Sequence, residues 1–182
     1  MKMTTTTIET SLARNDGAIG DDMARYRGHI YRVLHYTRAF LGDDYDADQV
    51  TIDLALAYHD MALWTHRELA YLEPSIDDAE AAAADMGLDV DHDLLRAIIF
   101  WHHKFTRYRG PKERIVNAVR RADWCDATAG WIRKGVPRAL VKSTVAAIPY
   151  EGFHRMLMRV GPELTGGSLL RAMGQMLRVY KV

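Results

Sequence analysis

The segment LALAYHDMALW, residues 54–64, places an ionisable pair inside an almost entirely apolar run. Such a run predicts an element that is buried on all sides, so the pair His59 and Asp60 should be buried with it. A buried carboxylate without partners costs several kcal/mol, and something must compensate for its charge. Three compensations fit: an Arg or Lys from another helix, a helix cap, or a metal ion bound by both side chains. The pair alone does not decide among them.

The rest of the chain is typical of an all-α protein. From residue 21 onward the apolar residues follow helical spacing, and no useful length alternates between apolar and polar residues as a strand would. We therefore expect an all-α helical bundle of about seven or eight helices, forming one domain over residues 21–182. Residues 1–20 are rich in threonine and are predicted to be a poorly ordered arm.

Four predicted helices carry a His or Asp where a core position is expected. Three of these four helices span about residues 21–41, 48–63 and 91–105, and the last one begins near Pro111. The residues are His29, His59, Asp60, His102, His103 and Asp123. Because a bundle brings such positions together, one shared cation explains them better than four separate compensations.

Composition excludes several other classes of protein. Lys+Arg and Asp+Glu number 24 each, and this balance argues against bulk binding of nucleic acid. The single cysteine, Cys125, excludes an internal disulfide and a four-cysteine zinc site. We see neither the apolar run of a signal peptide nor the roughly 20 apolar residues of a membrane span. We expect a cytoplasmic protein without a membrane partner.

The order of these residues resembles the HD-domain superfamily of metal-dependent phosphohydrolases, which is named for an adjacent His-Asp pair. The match consists of His29 in H-x-x-R-V, His59 and Asp60 in AYHD, and Asp123 in RRADWCDA. It covers roughly residues 22–130, and the two or three helices expected over residues 131–182 carry no matching motif. The resemblance implies an HD fold in which these four residues are metal ligands.

The resemblance also implies a chemistry. Two imidazoles and two carboxylates suit a divalent transition metal such as Mn, Fe, Co, Ni or Zn. In this family the ion generally hydrolyses phosphate esters, because it polarises the phosphoryl oxygen and activates a bound water. We therefore expect a small phosphorylated substrate, such as a nucleotide, and a second role for Asp60 in contacting the attacking water.

Some members of the family hold two metals and carry further histidines. His102 and His103 resemble the paired histidines of such members, but the region YLEPSIDDAE lacks the usual further histidine, and Glu73 or Asp77 would have to replace it. The pattern therefore favours one ion over two, with His102 or His103 beside it or acting as general acid. Because adjacent residues on a helix point about 100° apart, one of these two histidines is expected to face away.

Candidate substrate contacts follow directly in HHKFTRYRG, residues 102–110, which interleaves cations with aromatic rings. Lys104 and Arg109 are the candidate phosphate contacts, and Arg120 and Arg121 are weaker ones; for each of them the alternative is a solvated surface charge. Two other functions stay open. A minority of HD-like proteins are di-iron oxygenases that use dioxygen to cleave carbon bonds, and an HD protein can also bind a metal or ligand without catalysis.

Overall fold

The structure is a computed structural model that describes residues 5–181. Within that range there are nine α-helices of at least nine residues, three of four residues and one 3-10 helix, with no β-strand. The all-α prediction is therefore confirmed, and the number of helices exceeds the seven or eight expected. The helices are α1 (Thr6–Arg14), α2 (Asp16–Ile19), α3 (Met23–Leu41), α4 (Asp44–Ala47), α5 (Gln49–Tyr58), α6 (Ala62–Thr65), α7 (Leu72–Met86), α8 (His92–Trp101), α9 (Glu113–Ala127), α10 (Arg138–Ala147), α11 (Phe153–Glu163) and α12 (Leu169–Tyr180), with the 3-10 helix at Gly20–Asp22.

Helix α1 lies in the segment that was expected to be a poorly ordered arm, and that prediction is wrong for residues 5–20. The Thr5 hydroxyl caps α1 by accepting from the N–H of Ile8. Ile8 and Leu12 are one turn apart, are fully buried and pack against α5. The threonine-rich composition hid this short stripe, because two apolar residues at helical spacing suffice for a packing face. Residues 1–4 of the predicted arm lie outside the described residues.

Helix α3 is at the centre of the bundle. It packs along α9 and also contacts α5, α10 and α11. On the other side of the bundle, α5 packs against α7 and α8, and α8 packs against α9. The four segments that carry the candidate residues therefore enclose one apolar core. None of the described helices has the length and apolar character needed to cross a membrane.

Helix α5 ends sooner than predicted, and its end shapes the site. The sequence pattern predicts one helix through Leu63, but α5 stops at Tyr58, and a turn over residues 59–61 separates it from α6. On an uninterrupted helix, adjacent side chains point about 100° apart. In the turn, Nε2 of His59 lies 3.4 Å from Oδ2 of Asp60, so these adjacent side chains meet at one point.

Candidate metal centre

Five of the side chains selected from the sequence meet in one buried cluster. They come from α3, the turn after α5, the end of α8, and α9, and each is at most 8% exposed. Their ligand atoms form two overlapping groups that could each hold a metal ion, and within each group all atoms lie within 4.8 Å of one another. We call these five residues the floor: His29, His59, Asp60, His102 and Asp123. The convergence expected from the sequence is present.

The closest approach within the floor is between two imidazoles. Nε2 of His29 lies 3.0 Å from Nε2 of His59. Oδ1 of Asp123 lies 3.3 Å from the first nitrogen and 3.8 Å from the second. Oδ2 of Asp60 lies 3.8 Å from the first and 3.4 Å from the second. Two ligand atoms at right angles on one ion, with bonds of about 2.1 Å, are about 3.0 Å apart, so this spacing suits a shared ion.

The protonation of the two rings supports the same interpretation. Nδ1 of His29 lies 2.7 Å from a carboxylate oxygen of Asp126, and Nδ1 of His59 lies 2.7 Å from the carbonyl oxygen of Leu56. Because these oxygens accept hydrogen bonds, the contacts assign a proton to Nδ1 of each ring. In a neutral imidazole Nε2 then carries a lone pair. Two lone pairs that face each other and two carboxylates need a cation between them, so the donor set fits a metal ion.

Without an ion, a proton on His29 fills part of this role. Burial lowers the pKa of His29, but hydrogen bonds to Asp123 and Asp126 outweigh burial and raise the pKa from its ordinary 6.5 to about 9. Burial is also the main influence on His59 and lowers its pKa to about 4, so His59 is neutral near pH 7. A metal ion bound to Nε2 of His29 would displace that proton, so metal binding and deprotonation are coupled.

Asp126 is a site residue that the sequence analysis missed. It is fully buried, and besides His29 it contacts Arg32, whose Nε and Nη2 donate to it at 2.7 and 3.0 Å. Burial raises the pKa of Asp126, but His29 and Arg32 together lower it below its ordinary value. A carboxylate in this position orients a metal-binding histidine. The sequence does contain a sign of this contact. Asp126 lies three residues after Asp123, and Arg32 lies three residues after His29, so the two members of each pair share one face of their helix.

His102 and His103 both line the cavity beside the floor. The expectation that one of them faces away is wrong, because α8 ends at Trp101 and not, as predicted, at Phe105. The two histidines therefore lie in the turn that follows α8, and both side chains reach the cavity.

A chain of polar contacts links these histidines to Asp60. Nε2 of His102 lies 3.3 Å from Oδ1 of Asp60, and Nδ1 donates to the carbonyl oxygen of Ile99 at 2.6 Å. Nδ1 of His103 contacts Nε2 of His102 and lies 3.0 Å from the hydroxyl oxygen of Tyr71. Burial lowers the pKa of His103 well below its ordinary value. Its Nε2 is buried and has no hydrogen-bond partner among the described residues.

A cavity of about 160 Å³ lies against the floor. Its polar lining comes from four of the floor residues, all except His59, and from His103, Tyr71 and Tyr180. Most of the remaining wall is apolar and includes Leu63, Leu69, Phe153, Leu157, Val160 and Met176. Helices α11 and α12 supply the last four of these, and we call this pair of helices the cover.

The predicted phosphate contacts do not reach the cavity. Lys104 is only 3% exposed, and its Nζ donates to the carbonyl oxygens of Val179 and Lys181 at 2.6 and 2.8 Å. The Lys104 ammonium group therefore binds the C-terminal end of α12, where carbonyl oxygens without helical partners attract a cation. Arg109 is exposed in the segment between α8 and α9 and does not line the cavity.

The weaker candidates also lie outside the cavity. Arg120 and Arg121 each donate to backbone carbonyl oxygens elsewhere. Glu73 and Asp77, which were considered as replacements for a further histidine, are exposed on α7. Tyr71, just before that helix, is the residue that contacts His103 instead.

Comparisons with protein-family models, with curated proteins and with solved structures find no match to this chain. The resemblance to the HD superfamily therefore stays a prediction. The structure itself shows, over residues 5–181, an all-helical chain with two overlapping groups of buried His and Asp residues that could hold a metal ion.

Proposed function

We propose that the chain is a metal-dependent hydrolase with an HD-type centre. The observation that carries the proposal is the convergence of two Nε2 lone pairs, from His29 and His59, on the carboxylates of Asp60 and Asp123. These four residues would hold one divalent transition metal ion. When bound, such an ion polarises the substrate and lowers the pKa of a bound water.

The chain's own residues would share the remaining tasks. Asp126 fixes the tautomer and the orientation of His29. Asp60 has one oxygen 3.3 Å from His102, so this pair can accept the proton of the attacking water. His103 contacts both His102 and Tyr71 and would return a proton to the leaving group.

The resemblance supplies phosphate esters as the substrate class to test first. A second candidate is a di-iron oxygenase, and one observation favours it. His102 joins His59 and Asp60 in a second group of potential ligands, adjacent to the first. Two neighbouring groups could hold two ions, whereas hydrolysis by an activated water needs only one.

Metal content tests the proposal first. The protein is purified without chelator and without metal-affinity resin, and its metals are measured by elemental mass spectrometry. We expect about one transition metal ion per chain, absent from Asp60→Ala. The matched control is Asp85→Ala, which removes a carboxylate that is 63% exposed on α7 and should leave the metal content unchanged.

The possible results separate the candidates. One ion per chain, with ester hydrolysis that depends on it, would support the hydrolase. Two irons per chain, with consumption of dioxygen, would support the oxygenase. If neither the wild type nor the variant binds metal even after reconstitution, His59 and Asp60 are a structural pair and the proposal fails.

A further inference from the structure

We propose that this hydrolase acts on a small uncharged substrate, such as a neutral ester or amide, and not on a phosphate monoester or a nucleotide. The inference rests on the function proposed above, because it takes the cavity beside the floor as the place where substrate meets the activated water. It concerns which molecules that cavity accepts.

The size of the cavity limits the substrate. Pockets for drug-sized ligands are roughly 300–1,000 Å³. At about 160 Å³, the cavity beside the floor holds a much smaller molecule. A nucleotide would have to leave its base and ribose outside, where they could not contact the cavity wall.

Among the described residues, the wall of the cavity contains no permanently cationic side chain. No Lys or Arg is among the residues that line it within residues 5–181. The nearby buried cations are already used: Arg32 pairs with Asp126, and Lys104 caps the end of α12. A neighbouring surface cleft contains Arg67 and Arg178, but it shares only Leu69 with the cavity. A phosphate group in the cavity would therefore find no cationic side chain there.

The charges of the floor lead to the same substrate class. Asp60 and Asp123 carry two negative charges, which a divalent ion neutralises, and the charge of Asp126 is offset by Arg32. A phosphate monoester would add about two further negative charges next to apolar side chains such as Phe153 and Val160. A buried charge without a partner costs several kcal/mol, whereas a neutral substrate adds none.

A charge series of small phosphates tests the inference by binding. Trimethyl phosphate, dimethyl phosphate and methyl phosphate keep the phosphorus and change the charge from zero to about −2. Their affinities for the metal-loaded protein are measured by ligand-observed NMR. We expect the neutral member to bind best and methyl phosphate at least about tenfold more weakly, since tenfold corresponds to only about 1.4 kcal/mol. If methyl phosphate binds tightest, the inference is overturned.

A variant of the cover tests the physical reason. Leu157→Lys adds a cation at a partly exposed position of the wall and should strengthen methyl phosphate binding by about tenfold or more. Leu157→Gln is the neutral control of similar length and should not. Met176→Lys repeats the test from α12 if the first variant does not fold, as judged by its thermal midpoint. If neither folded lysine variant gains affinity for methyl phosphate, the missing cation is not what excludes phosphate.

Turnover separates this inference from the proposed function. Methyl acetate and methyl phosphate both release methanol, so one NMR assay follows both. Hydrolysis of methyl acetate alone supports both proposals. Hydrolysis of methyl phosphate at an equal or higher kcat/KM keeps the hydrolase and overturns the neutral substrate. If metal is bound and neither ester is cleaved, the hydrolase fails for these esters, and the affinity order of the charge series still decides which charge the cavity accepts.

Discussion

The floor and the cover adjoin the same cavity, yet their side chains are fixed in different ways. In the floor, hydrogen bonds to Asp126 and to backbone carbonyls fix each imidazole, and every residue is at most 8% exposed. The cover contacts the cavity through apolar packing, and part of it is open to solvent, with Met158 of α11 69% exposed and Leu170 of α12 82% exposed.

This difference separates two requirements of an active site. A metal centre needs ligands held to within fractions of an ångström, and buried hydrogen bonds supply that precision. Substrate choice depends on the shape and charge of the wall, which a few apolar side chains on a peripheral helix pair can set. We therefore expect changes in the floor to affect metal binding and stability, and changes in the cover to affect which substrate binds.

The strongest test of this division is His59→Ala. Nε2 of His59 belongs to both groups of potential ligands, so its loss should reduce metal affinity by more than about 100-fold, the upper end of the effect of outer-shell partners, and abolish hydrolysis. Competition with a chromogenic chelator measures the affinity. Val160→Ala, in the cover, should keep the wild-type metal affinity. The division fails if Val160→Ala loses metal as fully as His59→Ala.

A large effect on stability is expected from Arg32→Ala. Arg32 is fully buried against Asp126, and its removal leaves a buried carboxylate with a single partner. Removing one member of a buried ion pair costs about 3–5 kcal/mol in the free energy of unfolding, which urea denaturation measures. Arg155→Ala is the comparison in the cover: its side chain is exposed on α11, so its loss should cost less than about 0.5 kcal/mol. Equal losses would show that the floor is not the more tightly held region.

The same contrast explains which parts of the molecule could be predicted from sequence. Ionisable residues in apolar helical segments are costly unless they share a partner, so the pattern around His29, His59, Asp60 and Asp123 was enough to predict that they meet. Asp126 was missed because a carboxylate one turn after Asp123 could equally be solvated. Only the approach of α3 to α9 shows that it contacts His29.

The cover could not be predicted, because nothing in its composition fixes where it packs. Lys104 illustrates the consequence. A lysine next to the site histidines suggests a phosphate contact, but the C-terminal end of α12 lies beside Lys104 and accepts two hydrogen bonds from its ammonium group. The break after Trp101 was missed for a related reason, since apolar periodicity continues through residues 102–105 while the backbone turns.

A pH titration of the metal-free protein sharpens the view of the floor. His29 has a pKa of about 9 when folded and an ordinary value of 6.5. Its protonation therefore stabilises the metal-free protein fully below pH 6.5, and this contribution of about 3 kcal/mol is lost as the pH rises towards 9. The raised pKa of His102 acts in the same direction. We expect the free energy of unfolding, measured in chelator, to fall over this window.

The metal-loaded protein should behave in the opposite way. Because a metal ion needs the unprotonated Nε2 of His29, metal affinity should rise with pH up to about 9 and then level off. Asp126→Asn removes one of the groups that raise this pKa, so both pH effects should become smaller and shift to lower pH. A metal-free protein whose stability stays constant from pH 6.5 to 9 would mean that His29 is not protonated in the floor.

The smallest expected effect comes from Lys104→Met, which should destabilise the end of α12 without changing the residues of the floor. Without the ammonium, the carbonyl oxygens of Val179 and Lys181 lose their donor, at a cost of about 1 kcal/mol that is confined to the end of α12. Hydrogen exchange should therefore accelerate over residues 169–181, and KM should change more than kcat, because α12 forms part of the substrate wall. Metal content should equal that of the wild type.

The matched control is Lys142→Met, which removes an exposed lysine on α10 and should leave exchange over residues 169–181 unchanged. If Lys104→Met instead loses metal, the packing of α12 is needed for metal binding, and the assignment of substrate selectivity to the cover alone fails.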